Sequence, residues 1–501
     1  MRWIRPLTAR AEEPAERVGG KAHGLAVLHR LGLPVPAGFV VTTEACRAFL
    51  RAGHFPDGLD DELATAVTDL EAATGRHFGG SRAPLVVSVR SGASLSMPGM
   101  MDTILNLGLT TEATAALAAE TGDSRFAQSS RQRFLAGFAA AITGDQPIPD
   151  DANRQLELAV QTVFSSWDTP RARTYRELHD IPHHLGTAVI VQTMVFGNRD
   201  DHSGTGVAFS RDPNTGANVP FGEVLCGHLG EDVVSGRSLT RPLRELADRE
   251  PPVWAGLLDA LNRVEGHYRD ACYVEFTFQA GELWILQVRP GRFVGAAAVR
   301  VATDLADDRV IERHEALLRI SPQHLRHVRT PRIAPTGKAD ILARGLGACP
   351  GVAVGRVVTT ADRAVRMAMD GPVILVRPET SPHDMRGMAA AAGIVTARGG
   401  PAGHAAVVAR AMGKPAVVGI TDLTVADTSA SAGGRTIGEG TPITIDGTSG
   451  EVALGRPGII TTTADTHLRR LLEWADDVSG DTSEREETER LSAAHAALRH
   501  Q

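Results

Sequence analysis

The sequence predicts a multidomain protein of mixed α+β and α/β class. Short apolar runs bounded by Gly and Pro, which are typical of strands, recur through the chain and alternate with stretches of helical spacing. Residues 110–185 are rich in Ala, and aromatic residues at 126, 134 and 138 follow one helical face. Residues 345–456 alternate strand and helix patterns, which favours a compact β/β/α unit. A chain of 501 residues has room for about two to four domains.

Composition argues against two classes of partner. The net charge is −7 and no basic block is present, which argues against nucleic acid. No apolar run approaches the roughly 20 residues of a membrane span. The opening segment, MRWIRPLTARAEEP, lacks an apolar signal core, so we expect a cytoplasmic protein with no membrane partner. The cysteines are far apart and lack metal-ligand spacing, which predicts reduced thiols; they are Cys46, Cys226, Cys272 and Cys349.

The first candidate element is RVGGKAHGLAVLHRLGLPVPAGFVVTT, residues 17–43. Gly19 and Gly20 predict a turn before Lys21, followed by an apolar helix and a strand at 39–41. A glycine turn, a lysine and a helix start can bind a phosphate group. A surface lysine after a turn is the alternative.

The second candidate element is LVVSVRSGASLSMPGMMDTILNLGL, residues 85–109. Residues 85–89 predict a buried strand, with Arg90 and Ser91 at its end and a Gly-Ala-Ser segment after it. The fork of an arginine guanidinium suits phosphate. The alternative is a surface salt bridge.

Two further segments contain polar residues on predicted strands. In residues 187–240 the strand patterns TAVIVQTMVFGN and SGTGVAF precede Glu223, Glu231 and Asp232, which we expect near strand ends unless they are solvated loop charges. In residues 267–293 a turn at Gly281 predicts a hairpin. Its strands contain Glu275 and Gln287, whose oxygens suit Mg²⁺ unless they only form the solvent face of the hairpin.

The third candidate element is a histidine at a predicted helix start. Residues 394–396 predict the end of a short strand, and Arg398, Gly399, Gly400 and Pro401 break it. His404 then begins a run rich in Ala and Val that continues to Met412. The N–H groups and dipole at a helix start favour a phosphoryl group on this imidazole. A polar cap or a packed histidine is the alternative. Pro and basic residues from 322 to 338 predict a linker before this part of the chain.

Several strings together resemble the pyruvate, phosphate dikinase family. They are VILVRPETSPHDMRGM, TARGG, HAAVVARAMGKPAVVG, SVRSGASLSMPGMMDT and LQVRPGR. The resemblance implies an ATP-grasp nucleotide-binding domain with a helical insertion, followed by a swivelling β/β/α phosphohistidine domain. The expected boundaries are 1–110 for the first ATP-grasp lobe, 111–185 for the insertion, 186–295 for the second lobe, 296–343 for a helical segment and linker, 344–456 for the phosphohistidine domain and 457–501 for a charged helical tail.

The resemblance also implies residue roles. His404 matches the phosphorylated histidine, and Lys21 and Arg90 act with it on the ATP phosphates. Glu275 and Gln287 match residues that hold Mg²⁺. The other implied nucleotide and carrier-site residues are Gln192, Met194, Val195, Glu231, Asp232, Arg289, Thr380 and Arg398.

The chain departs from the family pattern at four places. Pro401, Ala402 and Gly403 stand where Met-Thr-Ser is usual before the histidine, and Leu229 replaces a common Gln. Tyr273 stands where an Asp is frequent, which affects the expected metal site. After residue 457 the family continues into a barrel that binds phosphoenolpyruvate or pyruvate, whereas here only THLRRLLEWADDVSG resembles its first helix.

The resemblance implies an ATP-dependent phosphotransferase. ATP and phosphate would give phospho-His404, AMP and pyrophosphate, and the phosphoryl group would pass to an acceptor held elsewhere, either pyruvate on a separate phosphoenolpyruvate/pyruvate-binding protein or another acceptor. One alternative is a non-catalytic nucleotide-binding or regulatory module, which Tyr273 and the unmatched barrel favour and the retained site residues oppose. The other is a phosphohistidine-dependent kinase for another small molecule.

Overall fold

The computed structural model describes residues 2–10, 13–95, 97, 100–142, 147–178, 180–229, 240–291, 293, 295–326, 328, 331–334, 339–401, 403–461 and 466–499. The chain forms two compact units. Unit 1 comprises residues 1–199 and 283–288, and unit 2 comprises residues 200–282 and 289–501. Helices and several sheets occur in both units, so the mixed class expected from the sequence is confirmed.

Unit 1 is built around an antiparallel sheet with strand order β1-β2-β7-β5-β6. Strands β5 and β7 lie next to each other at its centre, and their Val, Ile and Ala side chains are almost all buried, as expected of apolar runs covered on both faces. A short parallel pair, β3-β4, lies outside this sheet. The strands are β1 (Ile4–Pro6), β2 (Gly38–Val41), β3 (His77–Phe78), β4 (Pro84–Leu85), β5 (Val87–Gly92), β6 (Thr103–Leu107) and β7 (Ala188–Thr193).

Helices cover the sheet of unit 1 and fill the Ala-rich stretch between β6 and β7. Several begin at side-chain caps that the sequence provides: Thr110, Asp123 and Asp151 each accept a hydrogen bond from a backbone N–H of the first turn. The helices are α1 (Ala15–Arg30), α2 (Thr43–Ala52), α3 (Leu59–Thr74), α4 (Thr111–Thr121), α5 (Ser124–Ala141), α6 (Ala152–Ser166) and α7 (Pro170–Leu178), with a 3₁₀ turn at His183–Leu185.

Unit 2 begins with an antiparallel sheet in which β10, β9, β8 and β11 are neighbours in that order. The strands are β8 (Gly204–Phe209), β9 (Phe221–Cys226), β10 (Arg241–Pro242) and β11 (Cys272–Gln279). A two-residue turn follows β11, and both of its residues, Ala280 and Gly281, have positive φ, which matches the right-handed twist of hairpin strands. The predicted hairpin is therefore confirmed. Its second strand, β12 (Glu282–Pro290), is divided between the units, because residues 283–288 belong to unit 1.

Helices follow in the segment before the second sheet of unit 2. They are α8 (Leu246–Arg249), α9 (Pro251–Tyr268), α10 (Gly295–Asp307), α11 (Arg313–Arg319) and α12 (Pro322–Arg326), with a 3₁₀ turn at Leu243–Glu245. Strand β13 (Pro331–Ile333) comes next. The segment 322–338, which the sequence predicts as a linker, thus contains a short helix and a short strand within its described residues. Pairing of β13 with a distant strand, described below, is not visible in the local sequence.

Residues 339–456 form a part of unit 2 that we call the carrier part. Its main sheet has the order β14-β24-β23-β16-β17-β18-β19-β15, and β16, β17, β18 and β19 run parallel. The strands are β14 (Ile341–Arg344), β15 (Leu346–Cys349), β16 (Val352–Val358), β17 (Val373–Arg377), β18 (Gly393–Thr396), β19 (Ala416–Val418), β20 (Thr424–Val425), β21 (Ser429–Ala432), β22 (Arg435–Gly438), β23 (Pro442–Asp446) and β24 (Glu451–Leu454). Strands β20 to β22 form a small separate sheet.

Each connection between the parallel strands contains a helix: α13 (Ala361–Met367), α14 (Met385–Ala390) and α15 (His404–Met412). Short 3₁₀ turns lie at Ala368–Asp370 and Pro382–Asp384. This arrangement places the loops after β17 and β18 at the carboxyl end of the parallel strands, where α/β sheets bind ligands.

The end of the chain returns to the helices of unit 2. Strand β25 (Ile459–Thr461) pairs antiparallel with β13, and then α16 (Thr466–Ser479) and α17 (Glu487–Arg499) follow. Leu468, Leu471, Leu472 and Trp474 of α16 are buried in the same core cluster as α10 and α11. None of the helices in the described ranges combines the length and apolar character needed to cross a membrane.

Candidate functional site

His404 is the first residue of α15, immediately after the loop that follows β18. Gly399 has φ of +94°, and Gly403 occupies the cap position in an extended conformation without a side-chain cap. Gly403 N donates to Gly400 O at 2.9 Å, which closes a tight turn. The half-buried imidazole therefore lies where the first N–H groups of the helix have no intrahelical partners. The strand end and the helix start predicted here are confirmed.

Thr380 forms a hydrogen bond with the His404 imidazole. Its Oγ1 lies 2.9 Å from Nδ1, and its side chain is buried at the end of the loop after β17. A ring whose Nδ1 is hydrogen-bonded keeps Nε2 as the nitrogen available for attack. Burial lowers the pKa of His404, and the nearby carboxylate of Asp384 opposes this shift. The imidazole is consequently neutral at neutral pH, which a nucleophile requires.

Asp384 is fixed by its own contacts. Ser381 N and Ser381 Oγ both donate to its Oδ2, at 2.8 and 3.1 Å, and the guanidinium of Arg377 lies 3.4 Å from Oδ1. Arg398, another expected carrier-site residue, forms an exposed ion pair with Glu379 at 3.7 Å. Thr380 and Arg398 thus both lie on loops at the carboxyl ends of parallel strands, as does His404.

The other sheet of unit 2 presents two acidic residues on one face. Across neighbouring strands, Glu223 of β9 is opposite Val207 of β8, and Val207 is opposite Glu275 of β11. Residues opposite each other in adjacent strands share a face. Glu223 accepts a hydrogen bond from Thr240 Oγ1 at 2.6 Å and is buried, and Glu275 Oε1 accepts one from Arg289 Nη2 at 3.5 Å. Glu223 was expected near a strand end, but it lies inside β9.

The loop before His404 lies directly on Glu223. A Cβ atom built on Gly400 would be 1.5 Å from Glu223 Oε2, so only glycine permits this approach. A second contact comes from the loop between β8 and β9, where Asn214 Nδ2 donates to Gly347 O of β15 at 3.0 Å. The carrier part therefore meets the β8–β9–β11 sheet on the face that contains Glu223 and Glu275.

Tyr273 lies on the same face of this sheet, two residues before Glu275 on β11. It is opposite Phe209, which is opposite Phe221, and its ring centroid lies 4.9 Å from that of Phe209 in an edge-on arrangement. Burial raises the pKa of the Tyr273 phenol well above its ordinary value. The residue that replaces the frequent Asp is thus an uncharged aromatic packing residue rather than a metal ligand.

In unit 1, Arg90 contacts residues of β12. Its Nη1 donates to Leu286 O at 3.3 Å, and its Nη2 donates to Gln287 Oε1 at 3.4 Å. Gln287 is only 2% exposed, so the alternative that it forms a solvent face is wrong. Arg90 was expected at the end of a strand, but β5 continues to Gly92 because it pairs with β7 as far as Ala188.

The glycines before Lys21 lie against the end of β5. The helical span α1 already begins at Ala15 and is kinked at Gly19, whose φ is +81°, so the predicted turn is a kink within α1. A Cβ on Gly19 would be 1.7 Å from Gly92 O, and Gly20 N donates to Ala93 O at 3.0 Å. The Gly-Gly-Lys segment and the loop after β5, two separate candidates in the sequence, are thereby brought together.

The expected adenine-binding residues lie at the end of β7. Gln192 is buried and its Nε2 donates to Pro36 O at 2.9 Å, so its side chain fixes a neighbouring loop. Met194 N donates to Val86 O at 2.8 Å, and the side chains of Met194 and Val195 are half-buried. Glu231 and Asp232 lie outside the described residues.

Among the described residues, no group of three or more His, Cys, Asp and Glu side chains is arranged to hold a metal ion. Glu275 belongs to unit 2 and Gln287 to unit 1. The contacts that sequence reasoning missed, those of Gly400, Glu223 and Asn214, join residues more than 130 positions apart. The glycine pair before Pro401 was the local signal available for them.

Comparisons with known proteins match both parts of the chain. The family model described as "Pyruvate phosphate dikinase, AMP/ATP-binding domain" matches residues 15–74 and 50–241. The family model described as "PEP-utilising enzyme, mobile domain" matches residues 369–450. The second match contains His404, Thr380 and Arg398.

Curated relatives are similar over almost the whole chain. Pyruvate, phosphate dikinase of Rhizobium meliloti (strain 1021) is 40% identical, and the alignment covers 95% of this chain and 60% of the relative. Pyruvate, phosphate dikinase 2 of Zea mays is 41% identical over 92% of this chain and 58% of the relative. The Clostridium symbiosum pyruvate, phosphate dikinase is 38% identical over 95% and 60%. The chain thus spans 58–60% of the length of these relatives. From these matches, the chain belongs to the pyruvate, phosphate dikinase family.

Proposed function

We propose that the chain is an ATP-dependent phosphotransferase that acts through phosphorylation of His404. The observation that supports this most is the state of His404: it is neutral, it is held through Nδ1 by Thr380, and it begins a helix. The loop before it also lies on the sheet face that contains Glu275. A capping or merely packed histidine would not need this combination.

The proposed reaction follows that of a dikinase. Nε2 of His404 forms a bond to the β-phosphorus of ATP. The bond from that phosphorus to the α–β bridging oxygen breaks, and its electron pair leaves with AMP. His404 then holds a pyrophosphoryl group. Inorganic phosphate attacks its γ-phosphorus, the bond from that phosphorus to the β–γ bridging oxygen breaks, and pyrophosphate leaves, so one phosphoryl group stays on His404. The positive end of the α15 dipole favours this dianionic group.

The resemblance to the family supports a magnesium ion bound together with ATP, and the chemistry of the two implied residues suits it. Glu275 provides a carboxylate and Gln287 an amide oxygen, and Mg²⁺ commonly uses one or two protein oxygens beside phosphate and water oxygens. When bound, the ion would reduce the negative charge of the phosphates. Lys21, Arg90 and Arg289 are the proposed cationic partners of the phosphate oxygens.

In domain terms, we propose an ATP-grasp fold for residues 1–295 and a swivelling phosphohistidine domain for residues 344–456. We further propose that the phosphoryl group leaves His404 for an acceptor bound elsewhere, such as pyruvate on a separate phosphoenolpyruvate/pyruvate-binding protein. The names of the relatives, which are pyruvate, phosphate dikinases, support this choice of acceptor.

The test uses ATP labelled separately at the β and γ positions, with and without phosphate. We expect AMP and acid-labile label on the protein in both cases: from the β position only when phosphate is present, and from both positions when it is absent. His404→Ala should abolish the label, and His383→Ala, an exposed histidine of the same part of the chain, should not. Label from the γ position that stays on the protein in the presence of phosphate, or label that persists in His404→Ala, would contradict the proposal.

A second candidate function is a non-catalytic nucleotide-binding module. The aromatic packing of Tyr273 at the expected metal site favours it. In that case the same experiment would give bound ATP without AMP and without labelled protein.

A further inference from the structure

Arg410 is a buried arginine whose hydrogen bonds all stay within the carrier part. It lies in the last turn of α15, the helix that begins at His404, and it is 7% exposed. Its Nη1 donates to Ala348 O at 2.8 Å, and its Nη2 donates to Pro401 O. Pro401 belongs to the loop before His404, so Arg410 fixes this loop from the opposite end of the helix.

The same guanidinium also lies over an aromatic ring of the other sheet of unit 2. Its central carbon lies 5.6 Å from the ring centroid of Phe209, within the distance at which a cation is attracted by an aromatic face. Tyr273 packs against Phe209, and the buried carboxylate of Glu223 favours the charged form of Arg410. Burial lowers the pKa of Arg410 to about 10, so it stays charged at neutral pH.

The partners of Arg410 lie in two different parts of unit 2. The carbonyl partners, Ala348 and Pro401, move with the carrier part, whereas Phe209 and Tyr273 belong to the β8 and β11 strands. A lysine could not reproduce the arrangement, because an ammonium is a point charge without a planar fork and a stacking face. Tyr273 supports this contact, because its aromatic ring lies beside Phe209 and favours the Arg410 cation there.

We propose that Arg410 is a positioning residue that docks the carrier part on the Phe209–Tyr273 face for transfer of the phosphoryl group to His404. This inference rests on the proposed function. Its carbonyl bonds keep the guanidinium in place in the carrier part, and its contact with the Phe209 ring forms where the loop before His404 lies on Glu223. Departure of the carrier part returns the cation to water, so the docked state is reversible.

The activity test uses the full chain and two phosphoryl donors. Single-turnover labelling of His404 by ATP requires docking, whereas labelling by phosphoramidate, a small donor, requires only an accessible imidazole. For Phe209→Leu, which leaves both carbonyl bonds intact, we expect about 30-fold slower labelling from ATP, the value that corresponds to a desolvated cation–π contact. For Arg410→Lys we expect about a 10-fold loss. Labelling by phosphoramidate and binding of ATP should stay unchanged in Phe209→Leu.

The matched control is Arg366→Met, at an exposed arginine of α13 in the same part, which should label like the wild type with both donors. Unchanged ATP labelling in Phe209→Leu would overturn the inference. Equal losses with both donors in Arg410→Lys and Phe209→Leu would also overturn it, since this would indicate damage to the fold or to the histidine loop.

A second measurement monitors docking independently of the labelling reaction. Spin labels are attached at Met369→Cys of the carrier part and Tyr268→Cys of α9, both exposed in the wild type, in a chain with Cys226→Ser. We expect one distance in the wild-type background and an added population in Phe209→Leu. Identical distance distributions would refute docking by Arg410. If the distances change but no protein takes label from ATP, the docking role stands and the proposed function fails.

Discussion

Gly400→Ala should impair docking of the loop before His404 on Glu223 without affecting the folding of the carrier part. The added Cβ would lie 1.5 Å from Glu223 Oε2, whereas real Cβ atoms are not found within 3.0 Å of such atoms. The carboxylate would therefore have to move away, and it would lose its hydrogen bond from Thr240. A hydrogen bond to a charged group contributes about 1.5–3 kcal/mol. We expect labelling of His404 by ATP to slow by about 10- to 150-fold.

The assay is single-turnover labelling from β-labelled ATP, compared with labelling by phosphoramidate and with thermal unfolding. Only the ATP reaction should change, because Gly400 meets Glu223 and no neighbour within the carrier part at that distance. Glu223→Ala provides the control: it makes room for the new methyl group, so the double variant should lose less than the sum of the two single losses. Additive losses, or wild-type labelling in Gly400→Ala, would refute the reasoning.

Three further predictions concern single side chains. Thr380→Val removes the hydroxyl at His404 Nδ1, a bond worth about 1 kcal/mol; labelling by ATP should slow about 5-fold, and Thr380→Ser should restore it. Because burial lowers the pKa of His404, the labelling rate should be constant from pH 8 to about 6.5 and fall only at lower pH. Asp384→Asn, which removes the carboxylate that raises this pKa, should move the fall to still lower pH. A wild-type rate that already falls above pH 6.5, or a fall that Asp384→Asn moves to higher pH, would contradict the assignment. Leu471→Ala should lower the free energy of unfolding in urea by about 2–5 kcal/mol, since the side chain is fully buried, while Arg469→Ala, at an exposed position of the same helix, should change it by less than about 0.5 kcal/mol.

Elements with local signals were predictable from the sequence. The strand before Arg398 and the helix from His404 to Met412 agree with the structure because apolar runs there are interrupted by Gly and Pro. The hairpin at Gly281 agrees for the same reason. Strand β5 continues beyond its predicted end at Arg90, because its pairing with β7, about 100 residues later, decides where the strand ends.

The site was predictable in its chemistry but not in its contacts. His404 and Thr380 could be named from the sequence, yet only the fold brings Thr380 Oγ1 to Nδ1. The contact of Gly400 with Glu223 and that of Arg410 with Phe209 depend on the packing of two sheets against each other. Neither a glycine in a turn nor an arginine in a helix indicates a distant partner by itself.

The antiparallel pair formed by β13 and β25 has a mechanical consequence for the carrier part. The polypeptide enters this part through β13 and leaves it through β25, and Ile333 N is also bonded to Asp446 Oδ2 at 3.0 Å. Because the two connecting strands are hydrogen-bonded to each other, they resist separation more than they resist twisting as a pair. For the proposed swivelling of the carrier part we therefore expect rotation about this strand pair, and an inserted residue in one of the two connections should hinder it more than equal insertions in both.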